Sequence, residues 1–396
     1  MITYDCVVVG GGPAGATAAT DLAVAGRHVL LLDRAGRIKP CGGAIPPRLI
    51  ADFAIPDHLI VGRAHRARMI APSDSVVDMP VDRGGAGGMV GMVDRETFDE
   101  WLRARAASSG AERRSGTFDR IERDAGGAAI VVYADAVDGS EQRVGARCVI
   151  GADGARSRVA RATLKDAERM PCVFAYHEVI RSPAITDAAF DRGRCDVFYQ
   201  AVLSPDFYAW VFPHGDTASV GVGSAQKGFA LRDAVGRLRR REGLAACETI
   251  RREGAPIPLK PLRKWDNGRD VLVTGDAAGV VAPASGEGIY YAMVAGREAA
   301  KAADAFLASG SPKALGEARR AFMRAHGRVF WILGIMQHFW YRNDRRRERF
   351  VTMCEDRDVQ NLLWPAYMTK RLVYARPLAY LRIFLKDMRH LLQTAG

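Results

Sequence analysis

Apolar positions along this chain follow two periods, and the switches between them mark out its elements. Residues 4–9 form a near-continuous apolar run, as expected of a strand buried on both faces. A glycine turn follows, then a run of small residues over 14–25, a stop at Gly26 and a second apolar run over 28–32. That order predicts a β-α-β unit. Asp94 is placed to cap a helix running through Ala107, with Phe98, Trp101 and Leu102 on its apolar side. Alternating segments at 128–133 and 144–150 predict strands that return the chain to the first sheet, and alternation across 174–222 predicts a second sheet. Residues 271–273 are a short buried strand leading into a loop and a long small-residue helix over 288–306. The chain beyond is helical, basic and aromatic. The glycines between Gly84 and Gly91 predict a hairpin loop and not a phosphate cradle, because no strand–helix context surrounds them.

Composition changes this picture in three places. A chain of 396 residues, 48% hydrophobic and 26% charged, has material for two intertwined domains with a large core. Its formal charge of +12 is uneven: from Arg319 onward there are sixteen Lys/Arg against six Asp/Glu, leaving forty-one against thirty-nine upstream. The excess points to a local partner of the C-terminal stretch. Nucleic acid is not expected, since no zinc-ligand pattern, basic zipper or ribonucleoprotein motif accompanies the charge. Seven scattered cysteines without a C-x-x-C pair fit a reduced, cytosol-facing protein with no disulfide framework and no metal site. The longest apolar run, 329–336, is far short of the ~20 residues of a membrane span. No signal or transit peptide is expected, the first strand beginning near Tyr4.

The strongest motif is Gly10-Gly11-Gly12-Pro13-Ala14-Gly15. Gly10 permits the tight turn out of the strand, Gly12 lets backbone approach a diphosphate, and Gly15 lets helix and sheet close up. The helix N-terminus beyond it, at Ala14, offers free N–H groups and a positive dipole end. Asp33 closes the second strand, where a carboxylate can hold ribose hydroxyls and would repel a 2′-phosphate. Two later Gly-Asp motifs each follow an apolar strand: 151–157, containing Asp153, and 275–279, containing Asp276, with Pro283, Gly286, Glu287, Gly288 and Ile289 after it. Read alone, either acid also fits a turn carboxylate bonding its own backbone.

Together these three segments resemble the fingerprints of the p-hydroxybenzoate hydroxylase-like flavoproteins. The resemblance implies an α/β fold: a Rossmann-like FAD-binding domain interleaved with an antiparallel-sheet substrate domain, plus a helical C-terminal region. Residues 1–70, 94–165 and 265–310 are expected in the first domain, 71–93 and 166–264 in the second, and 311–396 in the third. It implies that Asp276 holds the ribityl chain of FAD, that Gly288 and Ile289 pack near the flavin ring, and that Arg95 is a basic residue contacting the cofactor. Arg34, Cys41, Gly42 and Asp153 are expected at the cofactor as well.

Two further segments narrow the reaction. Pro40-Cys41-Gly42-Gly43-Ala44 and Tyr208-Ala209-Trp210-Val211-Phe212-Pro213-His214, the latter followed by Gly221 and Gly223, resemble the geranylgeranyl reductase family. The likeness continues through 339–342, 345–350, 377–379 and 381–387, where it is similar to the chlorophyll and bacteriochlorophyll branch. It implies an NADPH- or ferredoxin-fed reductase that saturates a geranylgeranyl chain, carried by (bacterio)chlorophyll or by diphosphate. Tyr208, Trp210 and Phe212 alternate along a strand, so one face would offer an apolar wall with cation–π capacity, or simply core. Cys41 is expected to relay a proton or position the alkene, because a thiol of pKa about 8.5 is a poor acid toward an alkene; a small loop cysteine fits equally. Aromatics at Phe330, Trp331, Ile332, Phe339, Trp340 and Tyr341 beside the arginines of 345–349 fit a peripheral contact with an anionic membrane on its cytoplasmic side, alongside other pigment-synthesis enzymes, or a capping subdomain with a solvated face. A monooxygenase of the same fold and a non-enzymatic flavoprotein scaffold are the competing readings.

Overall fold

The structure, a computed structural model, describes residues 1–81, 88–184 and 190–360 apart from Ala35 and Arg37, together with Met368 and Lys370. Much of the glycine loop that begins at Gly84, and the motifs at 377–379 and 381–387, lie outside the described residues. The chain divides into two compact units, Met1–Gly43 with Asp94–Ala175 and Gly254–Gln337, and Ala44–Val93 with Tyr176–Glu253 and His338–Gly396.

The first unit is built on parallel strands. Thr3–Val9 lies between Val29–Asp33 and Glu141–Gly151, with Glu112–Arg123 beyond the former and Val271–Val273 beyond the latter. Val7, Val8, Leu30 and Leu31 are wholly buried, which is the environment their unbroken apolar runs require. Ala129–Asp135 pairs antiparallel with both Glu112–Arg123 and Glu141–Gly151, so those two strands outrun the parallel sheet to meet it. The helix Pro13–Val24 returns the chain between the first two strands, and Gly26 at φ +78° turns it out of the helix. Asp94 caps the helix Arg95–Ser108 by accepting from the Glu96 N–H at 2.8 Å, with Phe98 and Leu102 buried beneath. The helix Ile289–Ser309 packs against Pro13–Val24, a Cβ on Gly296 falling 2.2 Å from the Ala14 carbonyl oxygen; its Tyr291 meets the Phe330 ring of the helix Glu317–Trp340 edge-on at 4.9 Å, while Phe322 lies 5.3 Å from the buried Trp265.

The second unit carries a seven-stranded sheet in the order Thr249–Pro258, Cys172–Arg181, Thr217–Ser224, Ala209–His214, Arg194–Phe198, Arg66–Ile70, Val76–Pro80. One face packs Ala209, Val211, Val220 and Val222 against Ala234, Val235 and Leu238 of the helix Leu231–Arg241.

The division departs from the expected one in three ways, the first being that residues 166–175 and 254–264, expected in the second domain, fall in the first unit. Residues 44–70 belong to the second unit, because Ala44–Ile45 and Gly62–Ala64 both pair with Val90–Met92, and Arg66–Ile70 pairs with Arg194–Phe198. The C-terminal region is not a body of its own. Its first helix, through Gln337, packs in the first unit, and Asp344–Met353 is fastened in the second by Arg347, whose wholly buried guanidinium donates to the carbonyls of Tyr341 at 2.8 Å and Ser204 at 2.7 Å. The expected basic-aromatic surface is partly interior: Phe330, Tyr341 and Arg347 are buried, while Ile332, Phe339, Trp340, Arg346 and Arg349 are half-buried, with Arg346 over the Phe339 ring at 4.3 Å. Arg342 and Arg345 are exposed, as is a stripe of the helix Glu317–Trp340 bearing Arg324, Arg328, Trp331 and Ile335, with Trp331 69% exposed. Among the described residues no helix is long and apolar enough to cross a membrane.

Candidate functional site

The glycine turn is closed toward the sheet and open toward the helix. Gly10 sits at φ +106°, and a Cβ there would lie 2.4 Å from the Ala152 carbonyl oxygen. At Gly15 an added Cβ would be 1.8 Å from the Gly10 carbonyl oxygen. Gly12 is different: nothing lies within 4 Å of its Cβ position. The helix Pro13–Val24 has no side-chain cap at Gly12, and its first intrahelical bond is donated by Ala16 to the Gly12 carbonyl at 2.9 Å. Pro13 has no N–H to satisfy, and the N–H groups of Ala14 and Gly15 precede that first bond. A small open space faced by two N–H groups at the positive end of a helix dipole suits a diphosphate.

Two of the acids expected at the cofactor, Asp33 and Asp276, lie beside this turn, since a Cβ on Gly11 would meet Asp33 and one on Gly275 would meet Ala14. Asp33 ends its strand with a carboxylate 3.1 Å from Arg103, and Gly11 leaves them room, since a Cβ there would come within 2.8 Å of Arg103 Cδ and 2.9 Å of Asp33 Cβ. Arg34, the next residue, is exposed. Asp276 lies on the short turn Gly275–Ala278 and pairs with Lys39 at 2.5 Å, and its Oδ1 is 3.6 Å from a Cβ built on Gly288, where the helix Ile289–Ser309 begins. Gly288, Ile289 and Asp276 thus come together as the motif spacing requires. Asp153 behaves as a turn carboxylate: Oδ1 accepts from the Ser157 hydroxyl at 2.5 Å and Oδ2 from the Arg158 N–H at 2.6 Å. Burial pushes its carboxyl above the ordinary range, against the pull of those bonds. Asp153 holds its loop, with both oxygens already engaged. Lys39 and Arg103 are partners that sequence alone misses, since a loop lysine and a helical arginine carry no signal of what they face.

Cys41 and Gly42 follow Lys39. The Cys41 thiol is half-buried and accepts from the Gly43 N–H at 3.4 Å. Arg95 is buried and holds Asp99 through two bonds of 2.9 and 2.7 Å. Burial opposes its charge, but Asp99 and the neighbouring Cys41 sulfur outweigh burial and keep the guanidinium cationic. The arginine expected at the cofactor therefore backs the cysteine loop from a fixed position, its fork taken by Asp99.

In the second unit the three aromatics form the expected row. Tyr208 precedes the strand Ala209–His214, its ring 5.9 Å from that of Trp210, which is 6.1 Å from that of Phe212. Tyr208 also stacks on Phe207 at 4.3 Å, and Phe212 packs against Ala64, Val90 and Met92. Trp210 pairs across the sheet with Gly221, and the reason for glycine is direct: a Cβ there would lie 2.2 Å from indole Cζ2 and 2.6 Å from His177 Cβ. The indole lies over the space that a side chain at Gly221 would fill.

Comparison with known proteins speaks to the family and the fold. The pyridine nucleotide-disulphide oxidoreductase family matches residues 4–180. A geranylgeranyl diphosphate reductase of Rhodobacter capsulatus is 57% identical over 388 residues, spanning 98% of this chain and 97% of that one. The chloroplastic geranylgeranyl diphosphate reductase of rice, Oryza sativa, is 35% identical over 98% of this chain and 86% of its own. Among solved structures, a geranylgeranyl bacteriochlorophyll reductase-like protein from Thermoplasma acidophilum superposes with a TM-score of 0.82 over 96% of this chain and 100% of that one, at 23% identity, which speaks to the fold.

Proposed function

The chain belongs to the geranylgeranyl diphosphate reductase family, and from that premise we propose that it is an FAD-dependent reductase that saturates double bonds of a geranylgeranyl chain. The observation that carries this reading is the end-to-end match to reductases of that name. The fold, shared with other flavoproteins, names no reaction by itself.

Bound FAD, once reduced, supplies a hydride equivalent. The residues to hold it are Gly12, Ala14 and Gly15 for the diphosphate, Asp33 for the adenosine ribose, and Asp276 with Gly288 and Ile289 for the ribityl and flavin end. Saturating a trisubstituted alkene adds one hydride to one carbon and one proton to the other, and positive charge gathers at the tertiary carbon when the proton leads. Tyr208, Trp210 and Phe212 offer such a chain an apolar wall whose π faces attract that charge, by about 0.5–2 kcal/mol per ring. Cys41, backed by the fixed charge of Arg95, is assigned to positioning or to proton relay.

The finer proposals concern substrate, donor and place. The chain acts on geranylgeranyl groups carried by diphosphate or by (bacterio)chlorophyll, and takes electrons from NADPH, which binds without a dinucleotide fingerprint of its own, or from ferredoxin. The exposed stripe of Arg324, Arg328, Trp331 and Ile335 suits a peripheral contact with an anionic membrane, where a prenylated pigment resides. Purified holoprotein, reduced anaerobically and given geranylgeranyl diphosphate, should return products heavier by two hydrogens per step. Product that forms only with oxygen, and gains an oxygen atom, would make the protein a monooxygenase instead.

A further inference from the structure

The second sheet contains a buried polar row that this account of reduction leaves unused. Glu253, His177, Ser219 and Trp210 lie on the four consecutive strands Thr249–Pro258, Cys172–Arg181, Thr217–Ser224 and Ala209–His214. Their side chains join across the sheet: Glu253 Oε2 is 3.1 Å from His177 Nε2, His177 Nδ1 is 3.0 Å from Ser219 Oγ, and Trp210 Nε1 is 3.0 Å from the same oxygen. His177, Ser219 and Trp210 are 3%, 2% and 5% exposed, so water does not replace these contacts.

The direction of each bond follows from what the groups can do. An indole N–H only donates, so Ser219 Oγ accepts from Trp210. Burial pushes the Glu253 carboxyl up, but His177 and Arg251, which pairs with its other oxygen, outweigh burial and hold it below the ordinary range. An ionised carboxylate only accepts, so His177 Nε2 carries a hydrogen, across a contact that is short but not well aligned. Nδ1 meets Ser219 Oγ at 3.0 Å, the donor of the two being set by the protonation of the ring. The row thus ties the indole N–H to one hydroxyl, and that hydroxyl to an imidazole standing beside a carboxylate; in a low-dielectric interior such linked contacts polarise one another. The row ends on the ring that is clamped over Gly221 at the centre of the aromatic wall.

We propose that Ser219, His177 and Glu253 are positioning residues for Trp210: Ser219 fixes the plane of the indole and polarises its N–H, making the ring face richer in electrons, and His177 with Glu253 holds that hydroxyl in place. This rests on the reading of Trp210 as part of the wall that meets the isoprenoid chain.

The test follows the two half-reactions separately by stopped-flow absorbance of FAD-loaded protein, together with the indole N–H resonance of Trp210 in protein labelled with ¹⁵N-tryptophan. Ser219→Ala should slow alkene reduction by about three- to tenfold, within the range that cation–π attraction spans, leave flavin reduction unchanged, and shift the Trp210 N–H resonance upfield. His177→Phe, which keeps the ring volume and serves if Ser219→Ala does not fold, should act the same way to a smaller degree. Trp210→Phe keeps a π face but has no N–H, so adding either change to it should slow alkene reduction no further. Equal slowing in both backgrounds overturns the proposal and makes the row ordinary core. Trp210→Leu separates the two ideas. If it slows alkene reduction and Ser219→Ala does not, the row fails alone; if it leaves alkene reduction untouched, the wall itself is refuted.

Discussion

Gly12→Val tests the cofactor site most sharply, because the structure separates its effect on folding from its effect on binding. Nothing lies within 4 Å of the Cβ position, and Gly12 has φ −74°, a region open to any residue. The apoprotein should therefore stay within about 1 kcal/mol of wild type, as surface-type changes do. The isopropyl group would stand where the diphosphate must reach the N–H groups of Ala14 and Gly15. Hydrogen bonds to a charged group are worth about 1.5–3 kcal/mol each, so losing two weakens FAD by roughly two to four orders of magnitude. Gly15→Ala is the contrasting case. Its Cβ would fall 1.8 Å from a backbone oxygen, which cannot move without opening the turn, so that variant should lose stability as well as cofactor. Calorimetric titration of the apoproteins with FAD reads the affinity, and thermal melting reads the fold. Wild-type affinity in Gly12→Val would refute the diphosphate assignment. Apo Gly12→Val melting as low as Gly15→Ala would show that the open space has been misjudged.

Two more outcomes are expected. Gly221→Ala should destabilise the protein by about 1–3 kcal/mol, the usual cost of overpacking, because its Cβ meets the indole and His177 at once; an unchanged urea midpoint would mean that the ring is free to shift. Trp331→Ser combined with Arg328→Gln should lower co-sedimentation with phosphatidylglycerol vesicles by roughly tenfold or more, since each basic residue near an anionic surface contributes about 1 kcal/mol and the exposed indole adds to it; equal binding by the double variant would remove this stripe as the membrane contact.

The parts of this fold that could be read from sequence are those in which one residue type has one physical reason to be present. The unbroken apolar run before Gly10, the Asp94 cap and the buried strand Val271–Val273 all stand where the pattern puts them. The boundary at Gly43 could not be read, because strands as short as Ala44–Ile45 carry no period, and their pairing with Val90–Met92 is a long-range fact. Arg347 could not be read for a related reason. Charge predicts solvent, yet Arg347 is wholly buried against carbonyl oxygens that no motif announces. The row behind Trp210 stayed hidden because Ser, His and Glu on separate strands look like ordinary polar positions until the sheet order makes them neighbours.

Both units are assembled from three separate stretches of chain, which bears on how the polypeptide can be made. The strand Thr3–Val9 is synthesised well before Val271–Val273, which completes the sheet built on it. At ~5–20 residues per second that wait is roughly ten to fifty seconds, during which apolar strands of a parallel sheet stand with unpaired edges. No single cut of the chain releases either unit whole, so fragments ending anywhere between the two strands should be insoluble.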